Sequence, residues 1–437
     1  MFTVPFQRER RARCSLRCWA AALAMVAQLV GLDAYAQQSL SLEQALRLAQ
    51  ERSRLLVAQD AGAAAARQMA FIAGQLPDPV LKTGLSSLPI SGPDRFSFTR
   101  DSSTMATVGV MQEFTRADKR TARAGRFERE AEVAEAGRAV ALADLRRDTA
   151  MAWLDRLYQE RMRELLQTQR AEAALQIEAA EAAYRGGRGT QTDVFAARSA
   201  VAQIEDRIRQ SDRQIATAKT RLARWVGEGA NQALGVPPDL GMVRLDAERL
   251  EAELTHHPQI ALMVRQEALA RAEADVARAS KRADWSVELT YSQRSSAYSN
   301  MVSVNLSIPW QWDPKNRQDR EVSAKLALAE QVTAQREEAT REHVAQTRAW
   351  LQEWQGNRDR LTHYDHALIP LAGERTRAAI AAYRGGGGPL SAVLEARRME
   401  IDTRMDRLRL DMETAGLWAQ IEYLIPAEHP AGAVTEK

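Results

Sequence analysis

The run Ala182-Ala183-Tyr184-Arg185-Gly186-Gly187 returns 199 residues later as Ala381-Ala382-Tyr383-Arg384-Gly385-Gly386. Two further landmarks keep nearly the same offset. Ala152-Trp153-Leu154 recurs as Ala349-Trp350-Leu351, and Lys119 and Arg120 precede Lys315 and Arg317 by 196 and 197 residues. Three landmarks in one order at one spacing mean that the chain is written twice. A period near 200 is far longer than the ~20–50 residues of a solenoid repeat, so one larger unit is used in tandem.

Around each motif the sequence reads as helix. No proline occurs between Pro93 and Pro237, a gap of 143 residues, and long helices are what such a gap favours. The pattern predicts a helix over 117–185, a glycine turn, and a return helix to about Val226. At about 1.5 Å per residue the first arm alone spans about 100 Å. The return arm carries Val194, Ala197, Val201, Ile204, Ile208, Ser211, Ile215, Ala218, Leu222 and Trp225, at spacings that alternate three and four. Such a repeat winds helices into a left-handed coiled coil. Copy two offers Ile401, Met405, Leu408, Met412, Ala415 and Ala419 as its version of the seam. Pro370 interrupts an arm of copy two, and a kink is expected there.

Ahead of each arm lie a helical segment (42–74, then 258–283) and two short runs with a period of two. The predicted strands are 80–88 and 104–114 in copy one, 285–293 and 301–310 in copy two. Val287, Leu289 and Tyr291 alternate with Glu288, Thr290 and Ser292. Val302, Val304, Leu306 and Ile308 alternate with Ser303, Asn305 and Ser307. Runs of about 9–11 residues are long enough to cross a bilayer as tilted barrel strands. The fold class is therefore mostly α with a small β part: duplicated coiled-coil hairpins plus four strands.

The 437 residues carry 60 Lys plus Arg against 57 Asp plus Glu, a balance that gives no support to a nucleic-acid partner. Residues 1–36 read as a signal peptide. Arg8, Arg10, Arg11, Arg13 and Arg17 precede the apolar run Trp19 to Leu32, and Ala34-Tyr35-Ala36 supplies a small-x-small cleavage site. The expected repeats are then 37–236 and 237–437, the second with a C-terminal tail. Cys14 and Cys18 are the only cysteines, so no disulfide framework or cysteine zinc site is expected after residue 18. The mature chain has no apolar run of about 20 residues, the length of a spanning helix. An exported chain of this kind is soluble in the periplasm, or meets a membrane as β-strands.

Four strands cannot close a membrane barrel alone, and open sheet edges are not tolerated in lipid. Here the chain resembles the TolC-type outer-membrane efflux channels. The resemblance rests on the duplication, the two strand pairs, and Tyr184-Arg185-Gly186-Gly187 running into Thr192-Asp193-Val194 and Ala197-Arg198. Tyr383-Arg384-Gly385-Gly386 likewise runs into Val393-Leu394-Glu395-Ala396-Arg397. The runs 76–79, 92–101 and 109–114 are similar to the heavy-metal branch of that family, the outer-membrane partners of cobalt–zinc–cadmium and copper pumps. The resemblance implies a homotrimer with a shared twelve-stranded barrel in outer-membrane lipid, a periplasmic adaptor protein, and an inner-membrane RND-type pump. Residues 88–102 and 294–300 would be cell-surface loops, and Trp310 and Trp312 interfacial aromatics or else core of the strand-to-helix joint.

Two sites follow. Arg185, Gly186, Gly187, Arg188 and Gly189, with Arg384, Gly385, Gly386, Gly387, Gly388 and Pro389, are expected to form periplasmic tips that dock the adaptor, since glycine lets the chain reverse sharply. On the family's pattern, acids just after the turns ring the duct as a gate. Glu395 matches one such position, Ala392 fails the other, and Asp193 holds the equivalent place in copy one. The plain alternative pairs Glu395 and Asp193 with Arg397 and Arg198 on the helix surface.

No catalytic residue, cofactor or metal is expected. His256, His257, His343, His363, His366 and His429 include one i,i+3 pair, His363 with His366, short of the three or four ligands of a zinc site. His256 and His257 precede Pro258 as loop or capping residues, and Glu337-Glu338 lies in a solvated helix. Gly385 to Gly388 links two helices, so it reads as a turn and not a phosphate loop. A periplasmic adaptor would have one hairpin, and a coiled-coil adhesin no duplication. Organic drug export and type I protein secretion stay open beside metal efflux.

Overall fold

The computed structural model describes residues 39–245 and 257–425. The signal peptide, its cleavage site, both cysteines, His256, His429 and the C-terminal tail lie outside the described residues. Copy one runs α1 (Leu42–Arg52), α2 (Arg54–Ala73), β1 (Val80–Ser86), β2 (Met105–Phe114), α3 (Ala117–Arg185) and α4 (Gln191–Val226). Copy two runs α5 (Pro258–Ser280), β3 (Trp285–Gln293), β4 (Met301–Ser307), α6 (Gln318–His363), a π turn (Tyr364–Leu368), α7 (Ile369–Arg384) and α8 (Leu390–Glu422).

Several boundaries differ from the sequence reading, each for a local reason. The first helical segment breaks at Ser53, whose extended backbone ends α1 while its hydroxyl accepts from Leu56 N and caps α2. β2 begins after Thr104, which is buried and turned to donate to the Ser87 and Ser97 carbonyls. β4 stops at Ser307 and does not reach Trp310, and Pro309 has no N–H for a ladder. The irregularity expected at Pro370 falls just upstream, as the π turn. Pro370 itself sits in the first turn of α7, where a missing N–H costs least.

The strands form one antiparallel sheet in the order β1-β2-β3-β4. Its two edge strands, β1 and β4, have no outer neighbour in the single chain. The long helices leave the sheet's other end and pack in the sequence α4, α3, α8, then α6 and α7. The copies share one core: Trp153, Leu154 and Leu222 of copy one pack in the same cluster as Leu351, Trp354 and Trp418 of copy two. At its centre the chain start is pinned. Leu40 bridges Leu234 in parallel, Leu40 N donates to Ala233 O, and Trp153 Nε1 donates to Leu40 O at 3.0 Å. Buried Arg156 donates to the Ala230 and Gln232 carbonyls, both at 2.8 Å.

The seam read for α4 is buried at eight of its ten positions, with Ile208 and Trp225 half-buried. The copy-two seam turned out to be a different stripe. Ile401, Met405, Leu408, Met412, Ala415 and Ala419 join the shared core, where Gln159 of α3 meets Met412. The stripe matching α4 by offset runs Val393, Ala396, Glu400, Thr403, Arg407, Leu410, Thr414, Leu417 and Ile421, buried except at half-buried Thr403 and Arg407. α8 therefore packs on two sides and α4 on one.

Candidate functional site

The register of the sheet sorts its residues onto two faces. Leu81, Val110, Leu289 and Val304 stand in one row, and Thr83, Val108, Tyr291 and Val302 in the next. Their large apolar members are 44–70% exposed in the single chain. On the other face Lys82, Gly109, Thr290 and Ser303 form one row, and Val80, Met111, Glu288 and Asn305 another. Lys82 Nζ reaches Glu288 Oε2 at 2.6 Å. Among the described residues no helix is long and apolar enough to cross a membrane.

At the rim nearest the helices, Phe114 stacks on Trp285 with centroids 4.3 Å apart. Trp310 and Trp312 are 83% and 87% exposed in the single chain. Lys119, one of the duplication landmarks, is buried and pairs with Asp284 at 2.6 Å, fastening α3 to the segment entering β3.

The two glycine turns superpose in their bonding. Arg188 N donates to Ala183 O and Gly387 N to Ala382 O, both at 2.9 Å. Gly187 and Gly386 have φ of +72° and +76°, where a side chain is strained. Gly189 and Gly388 serve another need: a Cβ there would lie 3.1 Å from Ala183 Cβ and 3.3 Å from Ala382 Cβ. Leu390 and Val393 pack with Ala180, Val194 and Ala197, so the structure brings the two tips together. Arg185, Arg188 and Arg384 are exposed and make no ion pair among the described residues.

The acids of the expected gate part company. Asp193 Oδ2 accepts from Thr190 N at 2.9 Å and from Thr190 Oγ1 at 2.7 Å, closing a capping box at the start of α4. Those bonds from Thr190, the backbone one foremost, hold its carboxyl below the usual range. Arg198 pairs with Glu181 and not with Asp193. Glu395 is exposed, and its nearest cation is Arg375 at 3.9 Å. Arg397 instead turns inward to Glu172 of α3. Neither surface pairing anticipated for the two acids forms.

His363 ends α6 while His366 lies inside the π turn, whose wider winding takes the pair off a common α-helical face. His257 caps α5, its Nδ1 accepting from Gln259 N at 3.1 Å, with the His343 ring tilted against it, centroids 4.7 Å apart. Sequence reasoning missed the Lys82–Glu288 pair and buried Glu400. Strand register and helix facing decide both, and only the polar alternation of the strands hinted at the first.

Comparison with known proteins agrees with this geometry. The family model described as outer membrane efflux protein matches residues 45–228. Among solved structures the chain is similar to the outer-membrane channel OprN, at 18% identity and TM-score 0.72 over 88% of this chain and 89% of that one. VceC of Vibrio cholerae aligns at 17% identity and TM-score 0.70, covering 88% and 95%. CusC aligns at 15% identity and TM-score 0.69, covering 89% and 93%. The chain has the fold of the outer-membrane efflux channels. No curated protein matches it in sequence.

Proposed function

We propose that three copies of this chain assemble into an outer-membrane duct that conducts substrates out of the cell as the outer part of a tripartite efflux system. One observation carries the reading: an amphipathic four-stranded sheet with both edges open, mounted on two long hairpins. An open edge in lipid leaves backbone groups unpaired, at several kcal/mol each. Because the strand number is even, β4 of one copy meets β1 of the next antiparallel, so three copies close a barrel of twelve strands. The apolar face then meets lipid, with Trp310 and Trp312 at the headgroups, and the polar face lines the lumen. Residues 88–102 and 294–300 face the cell surface.

The tips face the periplasm. There the left-handed turns at Gly187 and Gly386, with Arg185, Arg188 and Arg384 exposed beside them, receive the hairpin of an adaptor protein linked to an inner-membrane pump. Glu395, exposed and weakly held, projects to the axis as the gate acid. Asp193 is engaged in its cap and contributes less. The cargo is heavy-metal cations, supported by the similarity of residues 76–79, 92–101 and 109–114 to the metal branch and by the cation preference of an acidic ring. The chain itself catalyses nothing in this reading.

The test is a deletion strain complemented with the wild-type chain. Restored tolerance to cobalt, zinc, cadmium or copper, with unchanged tolerance to detergents and drugs, is expected. Restored drug tolerance alone would reassign the cargo to organic compounds. A heat-modifiable trimer in the outer-membrane fraction is the matching check on assembly, and its absence would overturn the duct.

A further inference from the structure

We propose that Lys82 and Glu288 form a charge-compensated belt inside the barrel and set the ion selectivity of its outer-membrane end. This rests on the trimeric duct reading above and adds a site to it.

The two residues stand two strands apart, on β1 and β3, with β2 between them. They nonetheless meet at 2.6 Å on the polar face. Gly109 is paired with Lys82 in the register and leaves the strip between them bare. A Cβ at Gly109 would lie 2.7 Å from Thr290 Oγ1 and 3.0 Å from Leu289 O, so no larger residue fits without displacing β3. Thr290 Oγ1 donates to Glu288 Oε1 at 3.2 Å, which engages the second carboxylate oxygen. Each oxygen of Glu288 is thus held, and its charge is matched by one lysine. These are the only oppositely charged side chains paired across strands of the described sheet.

As a stability device the pair counts for little, since exposed ion pairs contribute about 0–1 kcal/mol. Its place in a narrow wall gives it another role. Twelve strands about 4.8 Å apart, tilted about 40°, close into a barrel roughly 24 Å across between backbones. Side chains reaching about 5 Å inward leave a lumen whose radius is close to the Debye length of about 8 Å at physiological salt. Wall charges there are felt at the axis. Conduction requires that an ion leave as well as enter. Three bare glutamates would hold divalent cations within the barrel, and three bare lysines would repel them. Paired, they do neither.

The experiment compares purified trimers of the wild type, Lys82→Met, Glu288→Gln and the double variant in planar bilayers under a KCl gradient. Lys82→Met should raise the potassium-to-chloride permeability ratio by about twofold or more and introduce block by zinc. Glu288→Gln should lower the ratio by a similar factor, and the double variant should return near wild type. Lys82→Arg keeps the charge and should keep the ratio. An unmoved ratio in both single variants, or shifts in the same direction, would overturn the belt. If Glu288→Gln fails to form trimers, Lys82→Met alone decides. Wild-type trimers that give no conductance steps would sink the duct reading itself, whereas normal steps with an unmoved ratio sink only the belt.

Discussion

Val201 and Glu400 hold the same place in the two copies, 199 residues apart, and both are buried, one a hydrocarbon and one a carboxylate. The contrast runs through both hairpins. In copy one α4 closes on α3 through an almost wholly apolar stripe. In copy two α8 buries Glu400 and meets its own arm through Arg407, whose guanidinium forks onto Asp365 of the π turn at 3.1 Å on both oxygens. The arm it meets, α7, buries only Thr376. Glu400 is held by Arg404 at 2.8 Å and Arg397 at 3.8 Å, and Arg397 is itself tied to copy one. The duplication has produced one hairpin zipped by hydrocarbon and one whose return helix leans on the other copy. That leaves α7, which leads to the second tip, as the arm with the least apolar anchorage.

The largest expected effect comes from forcing copy one to copy its partner. Val201→Glu buries a carboxylate with Glu205 where copy two has Arg404, and with Arg198, the counterpart of Arg397, already paired to Glu181. An uncompensated buried charge costs about 3–5 kcal/mol. Thermal melting of the trimer should show a large loss. A loss below about 1 kcal/mol would mean that the apolar seam yields as readily as the polar one.

A second difference is in how the copies begin. α1 starts with a capping box between Ser41 and Gln44, insensitive to acid in the working range. α5 starts with buried His257, whose pKa is pushed down to about 4, by burial first and by His343 beside it second. Between pH 6.5 and 4 the unfolded chain takes up this proton and the folded chain does not. Stability from this group is therefore full above 6.5 and drains as pH falls to 4, by up to about 3 kcal/mol. His257→Asn keeps a capping side chain and should flatten that part of the melting-against-pH curve. An unchanged slope would place the acid sensitivity elsewhere.

The smallest effects are expected at the tips, where the copies agree most. Gly386→Ala puts a Cβ on a left-handed residue and should cost about 1–2 kcal/mol, as should Gly187→Ala. Gly387→Arg installs the residue that copy one carries as Arg188, where a Cβ would meet only Ala382 O in ordinary contact at 3.8 Å. It should shift the melting temperature by almost nothing, within about 0.5 kcal/mol. A clear loss would show that the second turn is tighter than the first.

Much of this architecture was legible in the sequence because long-range copies and short-range periods report on it directly. The bounds of α3 and β3 follow from glycine, proline and alternation alone. The facing of α8 does not. A helix buried on two sides carries overlapping stripes, and a search for apolar periodicity picks Ile401 to Ala419 and passes over the stripe that holds Glu400 and Thr414. The glycines of the tips were legible as turns, but their separate duties were not: a positive φ at Gly187 and a close approach at Gly189 look alike in a string of letters. Lys82 and Glu288 lie 206 residues apart, and only strand register brings them together.

The bridge from Leu40 to Leu234 closes copy one into a ring of chain before copy two begins. Loop closure costs entropy that grows only slowly with length. Here Trp153 and Arg156, both within the ring, supply the bonds that hold it shut. In kinetic terms the first half carries its own closing clasp, while α8 of the second half needs α3 as a surface to fold against. The core itself still closes only with both halves present, since Trp153 and Leu222 pack in one cluster with Leu351 and Trp418.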